Sequence, residues 1–187
     1  MKYLIVGLGN IGDEYVDTRH NAGFSMIDAL AKRLQASFDV DRYASVAQAS
    51  YKGRQIVMIK PSTYMNLSGK AVHYWMQKEK ISIENILVLV DDLALPFGTL
   101  RMKGRGSAGG HNGLKNIQEL VGSENSPRLR FGVGNDFAKG QQIDFVLGKW
   151  TKEEKEQISA ICDKAVDAIQ LFVTIGLEKA TTFANSK

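Results

Sequence analysis

Ile86-Leu87-Val88-Leu89-Val90-Asp91-Asp92 is the stretch on which the fold turns. An unbroken apolar run rich in β-branched residues is what a strand buried on both faces requires. The run delivers two carboxylates at its C-terminal end. Upstream, residues 3–6 form a second short apolar strand that ends at Gly7, and Phe24, Ile27, Leu30, Ala31 and Leu34 recur at helical spacing. That spacing predicts an amphipathic helix over about 22–35. Residues 45–51 and 55–60 read as strands joined by the turn Lys52-Gly53-Arg54, with Pro61 stopping the second. Asn66 is expected to cap a helix that carries Leu67, Ala71, Trp75 and Met76 on its apolar side. Downstream, the Gly-rich residues 104–113 lead into a helix with Leu114, Ile117, Leu120 and Val121, and residues 128–133 read as a strand. Thr151 and Glu154 have capping-box spacing before a long helix. Strands alternating with helices give an α/β fold: one domain over residues 1–187, its twisted, mixed but mainly parallel sheet flanked by helices on both faces. Residues 136–150 are expected to form a mobile lid or loop.

The 187 residues hold 44% hydrophobic and 24% charged side chains, enough apolar material for one real core. The apolar run 86–90 is far below the ~20 residues that span a bilayer. No basic stretch followed by an apolar one opens the sequence, so neither a secretory signal nor a membrane role is expected. Cys162 is the only cysteine. No disulfide can form within the chain, and a reducing cytoplasm is the expected setting. The net charge of +4 is not spread evenly. Residues 93–118 contain no Asp or Glu but hold Arg101, Lys103, Arg105 and Lys115. A local basic excess suits an anionic partner, or a loop whose charges only confer solubility.

In a parallel sheet, ligands bind beyond the carboxyl ends of the strands. The segments there contain most of the unusual polar residues. Gly7-Leu8-Gly9-Asn10-Ile11-Gly12 matches a dinucleotide fingerprint, but Asp13 and Glu14 follow where a pyrophosphate would want amides. These glycines are therefore read as letting a loop pass close to another part of the fold. His20 is either a backbone-bonded helix-start residue or a general base. Asp91 is either a cap or the carboxylate that would hold an imidazole in one tautomer. Asn10, Asn21, Asn66 and Asn112 are turn or cap residues taken singly, and peptide- or carbonyl-binding amides taken together. Lys103, Arg105 and Arg130 flank the same edge and could hold phosphates. No metal-ligand spacing, nucleophile elbow or P-loop occurs, and Cys162 falls on an apolar helix face, so neither metal nor cofactor is expected. What remains is a histidine base with no protein nucleophile, and hence direct attack by water.

Several motifs in register carry a resemblance. They are Val6-Gly7-Leu8-Gly9-Asn10, Thr18-Arg19-His20-Asn21-Ala22-Gly23-Phe24, Lys60-Pro61-Ser62-Thr63-Tyr64-Met65-Asn66-Leu67-Ser68-Gly69, Asp91-Asp92-Leu93 and Gly106-Ser107-Ala108-Gly109-Gly110-His111-Asn112-Gly113-Leu114-Lys115. Arg128-Leu129-Arg130-Phe131-Gly132-Val133-Gly134 and Phe145-Val146-Leu147-Gly148-Lys149 complete the set. Over essentially its full length the sequence resembles the bacterial peptidyl-tRNA hydrolases. The resemblance implies hydrolysis of the ester that joins a peptide to the 3′ ribose of tRNA, by a cytoplasmic, metal-free, monomeric enzyme. By position it makes His20 the base and Asp91 its holder, with Asn10 beside them to favour substrates with a blocked amine. It places Tyr15, Tyr64, Asn66 and Asn112 on the tRNA end and peptide, and Lys103 and Arg130 on a tRNA phosphate. Two features depart from the family pattern: Ala94 stands where an acidic residue is common, and Gly134-Asn135-Asp136-Phe137 replaces a Gly-x-Pro turn. Two other classes compete, a non-catalytic RNA-binding module on the same scaffold and a nicotinamide-dependent oxidoreductase.

Overall fold

The computed structural model describes residues 1–186. Seven strands make one sheet: β1 (Lys2–Gly7), β2 (Asp39–Asp41), β3 (Ala44–Tyr51), β4 (Arg54–Pro61), β5 (Ile86–Asp92), β6 (Leu100–Lys103) and β7 (Arg128–Gly132). Their order across the sheet is β2-β3-β4-β1-β5-β7-β6. The four central strands β4, β1, β5 and β7 are parallel; β3 and β6 run against them, and β2 pairs antiparallel with β3 at the edge. Six helices connect and cover them: α1 (Ala22–Arg33), α2 (Ser68–Glu79), α3 (Asn112–Val121), α4 (Gln142–Val146), α5 (Lys152–Ile175) and α6 (Leu177–Ala184).

Alternation along the strands divides the core between two faces. Ile5, Leu87, Leu89, Leu129 and Phe131 pack with α1, α5 and α6, whereas Leu4, Val6, Val88 and Val90 pack with α2 and α3. β5 is therefore buried on both sides, as its continuous apolar run requires. Among the described residues, no helix is long and apolar enough to cross a membrane.

The glycines after β1 serve helix packing. A Cβ on Gly7 would stand 2.6 Å from the carbonyl oxygen of Gly23 and from Ile27 Cγ2, and one on Gly9 would strike the Phe24 ring at 2.7 Å. α1 thus lies directly on the end of β1, in space that a larger residue would deny it.

Several boundaries differ from the sequence reading. Asn66 does not cap α2. It lies exposed in a single 3-10 turn, Met65–Leu67, and Leu67 occupies the cap position without a side-chain bond. Ser68 Oγ donates to the Met65 carbonyl at 2.6 Å, tightening that turn into the helix. Pro61 is the last residue of β4, opposite Ala44. The short edge strands β2 and β6 and the helices α4 and α6 have no counterpart in the sequence reading. The capping box at α5 is present, with Glu154 N–H donating to Thr151 Oγ1 at 3.1 Å and Thr151 N–H to Glu154 Oε1 at 2.9 Å. Cys162 is buried in the α5 core, where burial pushes its thiol up to about 12.

Candidate active site

After β1 the chain passes through α1, β2 and β3 to β4 on one side, and after neighbouring β5 it passes through β6 and α3 to β7 on the other. The crevice between β1 and β5 is thus the switch point where open α/β sheets bind ligands. The loop after β1 and the end of β5 meet there. A 3-10 turn, Arg19–Asn21, presents His20. Arg19 is nearly buried and anchors the turn: its guanidinium donates to Glu154 Oε1 at 3.0 Å and to the Phe145 carbonyl at 3.2 Å, and lies 4.2 Å over the Phe145 ring. On the other side, the Asn21 amide clasps the backbone of Asn10. It accepts from Asn10 N–H at 2.7 Å and donates to the Asn10 carbonyl at 2.9 Å. Asn21 is therefore committed to the loop, in contrast to its place among the sequence-derived binding amides.

His20 Nδ1 lies 2.9 Å from Asp91 Oδ2 and 3.0 Å from Oδ1. His111, which the sequence reading had left without a role, approaches the same carboxylate with Nε2 at 2.9 Å from Oδ1. Its other nitrogen, Nδ1, accepts the Leu114 N–H at 3.2 Å as the cap of α3. The hydrogen-bond network then assigns the protons. His111 Nε2 carries one and donates it to Asp91. His20 donates from Nδ1, which leaves its Nε2 lone pair free.

Electrostatics follow this geometry. Burial alone would lower the His20 pKa, but the charge of Asp91 and its hydrogen bond together overcome that, and the net shift is upward from 6.5. Burial alone would raise the Asp91 pKa, yet the charges of His111 and His20 and their hydrogen bonds hold it far below the usual carboxylate range. Asp91 is only 4% exposed, so an ionised group there depends on both imidazoles. The three residues also bring their ligand atoms within 4.8 Å of one another, spacing that a metal ion could use. Such an ion would have to displace the two imidazole protons that Asp91 now accepts.

The remaining sequence-predicted residues lie on the segments that follow β1 and β4 and at the start of α3. Asn10 opens onto a cavity of about 300 Å³ that Asp13, Phe24, Asp28 and Lys60 help to line. Tyr15 ends a 3-10 turn in the same loop and is half-buried. Met65 is buried, and a Cβ on Gly113 would lie 2.7 Å from its sulfur. That contact holds the segment with Tyr64, 81% exposed, and Asn66 against the start of α3, where Asn112 is exposed.

A cationic cluster adjoins the centre across β5 and β7. Arg128 is fully buried, and its guanidinium donates to the carbonyls of Gly106 and Ser107 at 2.9 Å, Glu124 at 3.1 Å and Ser126 at 3.0–3.1 Å. It fastens the Gly-rich segment to the sheet, a role absent from the sequence reading. Among the described residues it has no carboxylate partner. Register places Lys103 opposite Arg128 and Arg101 opposite Arg130, so all four project from one face of the β6–β7 pair. Arg130 meets Asp92 Oδ2 at 3.2 Å, and its buried Nε has no partner among the described residues. Burial, then the charges of Arg130 and Arg128, shift the Lys103 pKa downward. Positive charge is thus in excess here, whereas Arg105 stands apart on the exposed loop.

A family model described as Peptidyl-tRNA hydrolase matches residues 4–187. The peptidyl-tRNA hydrolase of Cytophaga hutchinsonii is 57% identical over 187 residues, all of both chains, and that of Phocaeicola vulgatus 56% over the same span. A crystal structure of peptidyl-tRNA hydrolase from Acinetobacter baumannii superposes with a TM-score of 0.93 at 34% identity, covering 98% of this chain and 94% of that one. With a match over nearly the whole chain and more than half of the residues shared with these relatives, the chain belongs to the peptidyl-tRNA hydrolase family.

Proposed function

We propose that the protein hydrolyses the ester joining a peptide to the 3′ ribose of tRNA, with water activated by His20. One observation carries the reading. His20 spends Nδ1–H on a buried carboxylate and keeps Nε2 as a free acceptor at the crevice. Nε2 takes a proton from water as the oxygen attacks the ester carbonyl, and Asp91 stabilises the imidazolium that forms. The Asn10 amide, on a backbone that Asn21 clasps, donates to the developing oxyanion. When the tetrahedral intermediate collapses, His20 returns the proton to the ribose oxygen, and free tRNA and peptide leave.

Tyr15, Tyr64, Asn66 and Asn112 supply the rim for the 3′ end and the peptide. Lys103 and Arg130 meet a phosphate, which adds affinity without reading bases. The scheme needs no metal ion or cofactor, because base, orienting carboxylate and amide donors are all protein groups. The proposed enzyme acts as a monomer in the cytoplasm, where tRNA carries nascent peptides.

The test is peptide release from N-blocked aminoacyl-tRNA by wild type and His20→Ala. The expected result is a fall in kcat of about 10²–10⁴-fold, the usual contribution of a general base, with tRNA affinity kept within about twofold. Equal rates would remove His20 from the mechanism.

A further inference from the structure

A second cationic surface lies at the opposite end of the sheet from Lys103 and Arg130. The β2–β3 turn, Arg42-Tyr43, packs against α2, where the buried Trp75 donates from Nε1–H to the Arg42 carbonyl at 2.8 Å. Between turn and helix is a shallow depression of about 620 Å³, lined by Tyr43, Lys70, His73, Tyr74, Gln77 and Lys78. Among the described residues, no carboxylate lines it. Among the described residues, none of Arg42, Lys70 and Lys78 forms an ion pair. The nearest acid in sequence, Asp41, accepts from the backbone N–H of Arg42 instead.

The cations are interleaved with aromatic rings. Arg42 lies 5.3 Å over Tyr43 and 5.4 Å over Tyr74, Lys70 lies 4.9 Å over Tyr43, and Lys78 lies 6.0 Å over Tyr74. The two tyrosines meet edge to face at 5.6 Å. Tyr43 has a φ of 61°, at a turn position where glycine is the usual occupant. A bulky residue held there has a strained backbone, and its ring lines the depression. Arg42 and Lys70 also lower the pKa of the Tyr43 hydroxyl, so the ring sits in a positive field.

Alternating cations and rings are the chemistry of a single-stranded nucleic-acid platform, in which bases stack while ammonium and guanidinium groups meet the phosphates. We infer that the Arg42–Tyr43–Lys70–Tyr74–Lys78 surface binds an unpaired stretch of RNA separate from the acceptor end of the substrate. The separation follows from the order of the sheet. Lys103 and Arg130 belong to β6 and β7, the ester centre to β1 and β5, and this surface to the β2–β3 turn beyond β4 and the residues of α2 that line the depression with it. A tRNA held at the first of these reaches the centre without crossing the last. The inference rests on the proposed function only for that path of the acceptor.

The experiment follows the anisotropy of a fluorescein-labelled oligouridine of about ten nucleotides, within the usual footprint of such platforms. Wild type, Lys70→Glu/Lys78→Glu, Tyr74→Ala and Lys103→Glu are compared, with hydrolysis of N-blocked aminoacyl-tRNA measured in parallel. Both lysines are exposed, so their reversal leaves the fold intact. The expected result is at least tenfold weaker oligonucleotide binding in the double variant and a several-fold loss in Tyr74→Ala. Lys103→Glu should leave oligonucleotide binding unchanged, and the double variant should hydrolyse substrate at the wild-type rate. Unaltered oligonucleotide binding in the double variant would overturn the inference. So would a raised KM for hydrolysis in that variant, which would put the acceptor end on this surface. If His20→Ala proved fully active, the mechanism above would fail while the oligonucleotide result still stood.

Discussion

Asp91 and Asp92 are adjacent on one strand yet belong to regions of opposite character. Asp91 is buried and accepts from two imidazoles, so one negative charge satisfies two donors and is satisfied by them. Asp92 is half-buried and faces a cluster in which Lys103, Arg128 and Arg130 outnumber it. The first region is complete without a ligand. The second carries uncompensated positive charge, some of it desolvated, and gains most when an anion arrives. On the proposed reading that contrast separates chemistry from grip. Asp91 sets the rate, and the cations set affinity for the phosphate backbone.

Replacing each aspartate with its amide would break the contrast most sharply. Asp91→Asn keeps the volume but puts an amide NH2 where two N–H groups must be accepted. Either His20 turns its ring or it loses the tautomer that exposes Nε2. The expected fall in kcat is about 10²–10⁴-fold. Asp92→Asn removes only a half-exposed partner of Arg130, and a change of a few-fold at most is expected. Comparable losses in steady-state hydrolysis would show that the two carboxylates are not divided in this way.

The central strands, the first helix and the capping box were legible because their signals are local. An unbroken apolar run, a 3.6-residue period and a Thr-x-x-Glu spacing each need only neighbouring residues. β6 was less visible, although Leu100-Arg101-Met102-Lys103 does alternate. Its four residues lie between glycines and read as loop until β7 supplies the pairing. His20 and Asp91 could be proposed together because both fall at strand or loop ends on one edge. His111 could not. Its significance depends on α3 starting beside the end of β5, which no spacing in the sequence reveals. Arg128 reads as an ordinary strand residue until the folded chain turns four carbonyls toward it, two from the Gly-rich segment and two from the loop before β7. Asn21 shows the converse, since a residue suited to substrate binding is used by the loop itself.

The pH dependence gives a finer probe of the first region. His20 must be neutral to act as base, and Asp91 raises its pKa above the ordinary 6.5. As pH falls through that raised value, kcat/KM should drop by up to tenfold per unit, with the limb centred above 6.5. In Asp91→Asn the upward influence is gone while burial, which lowers the pKa, remains. The limb of the residual activity should therefore move to lower pH. A limb at the same pH in both proteins would mean that a group other than His20 titrates.

The smallest expected effect belongs to the cationic region. Lys103 is a point charge on an edge strand, one contact among several. Neutralising it in Lys103→Gln should raise KM only a few-fold near physiological salt and leave kcat within about twofold. The informative quantity is the salt slope. Each phosphate contact releases bound counterions, so losing one should reduce the slope of log KM against log salt by about 1. Lys2 provides the control. It pairs with Glu79 at 3.2 Å, at the N-terminal end of β1, and Lys2→Gln should leave the slope unchanged. Because the slope counts contacts rather than total affinity, it separates loss of a phosphate partner from a general loosening of the Gly-rich segment. Loosening would raise KM by a similar factor at every salt concentration. A parallel offset in Lys103→Gln would assign Lys103 to supporting that segment and leave Arg130, with its unpartnered Nε, as the phosphate contact.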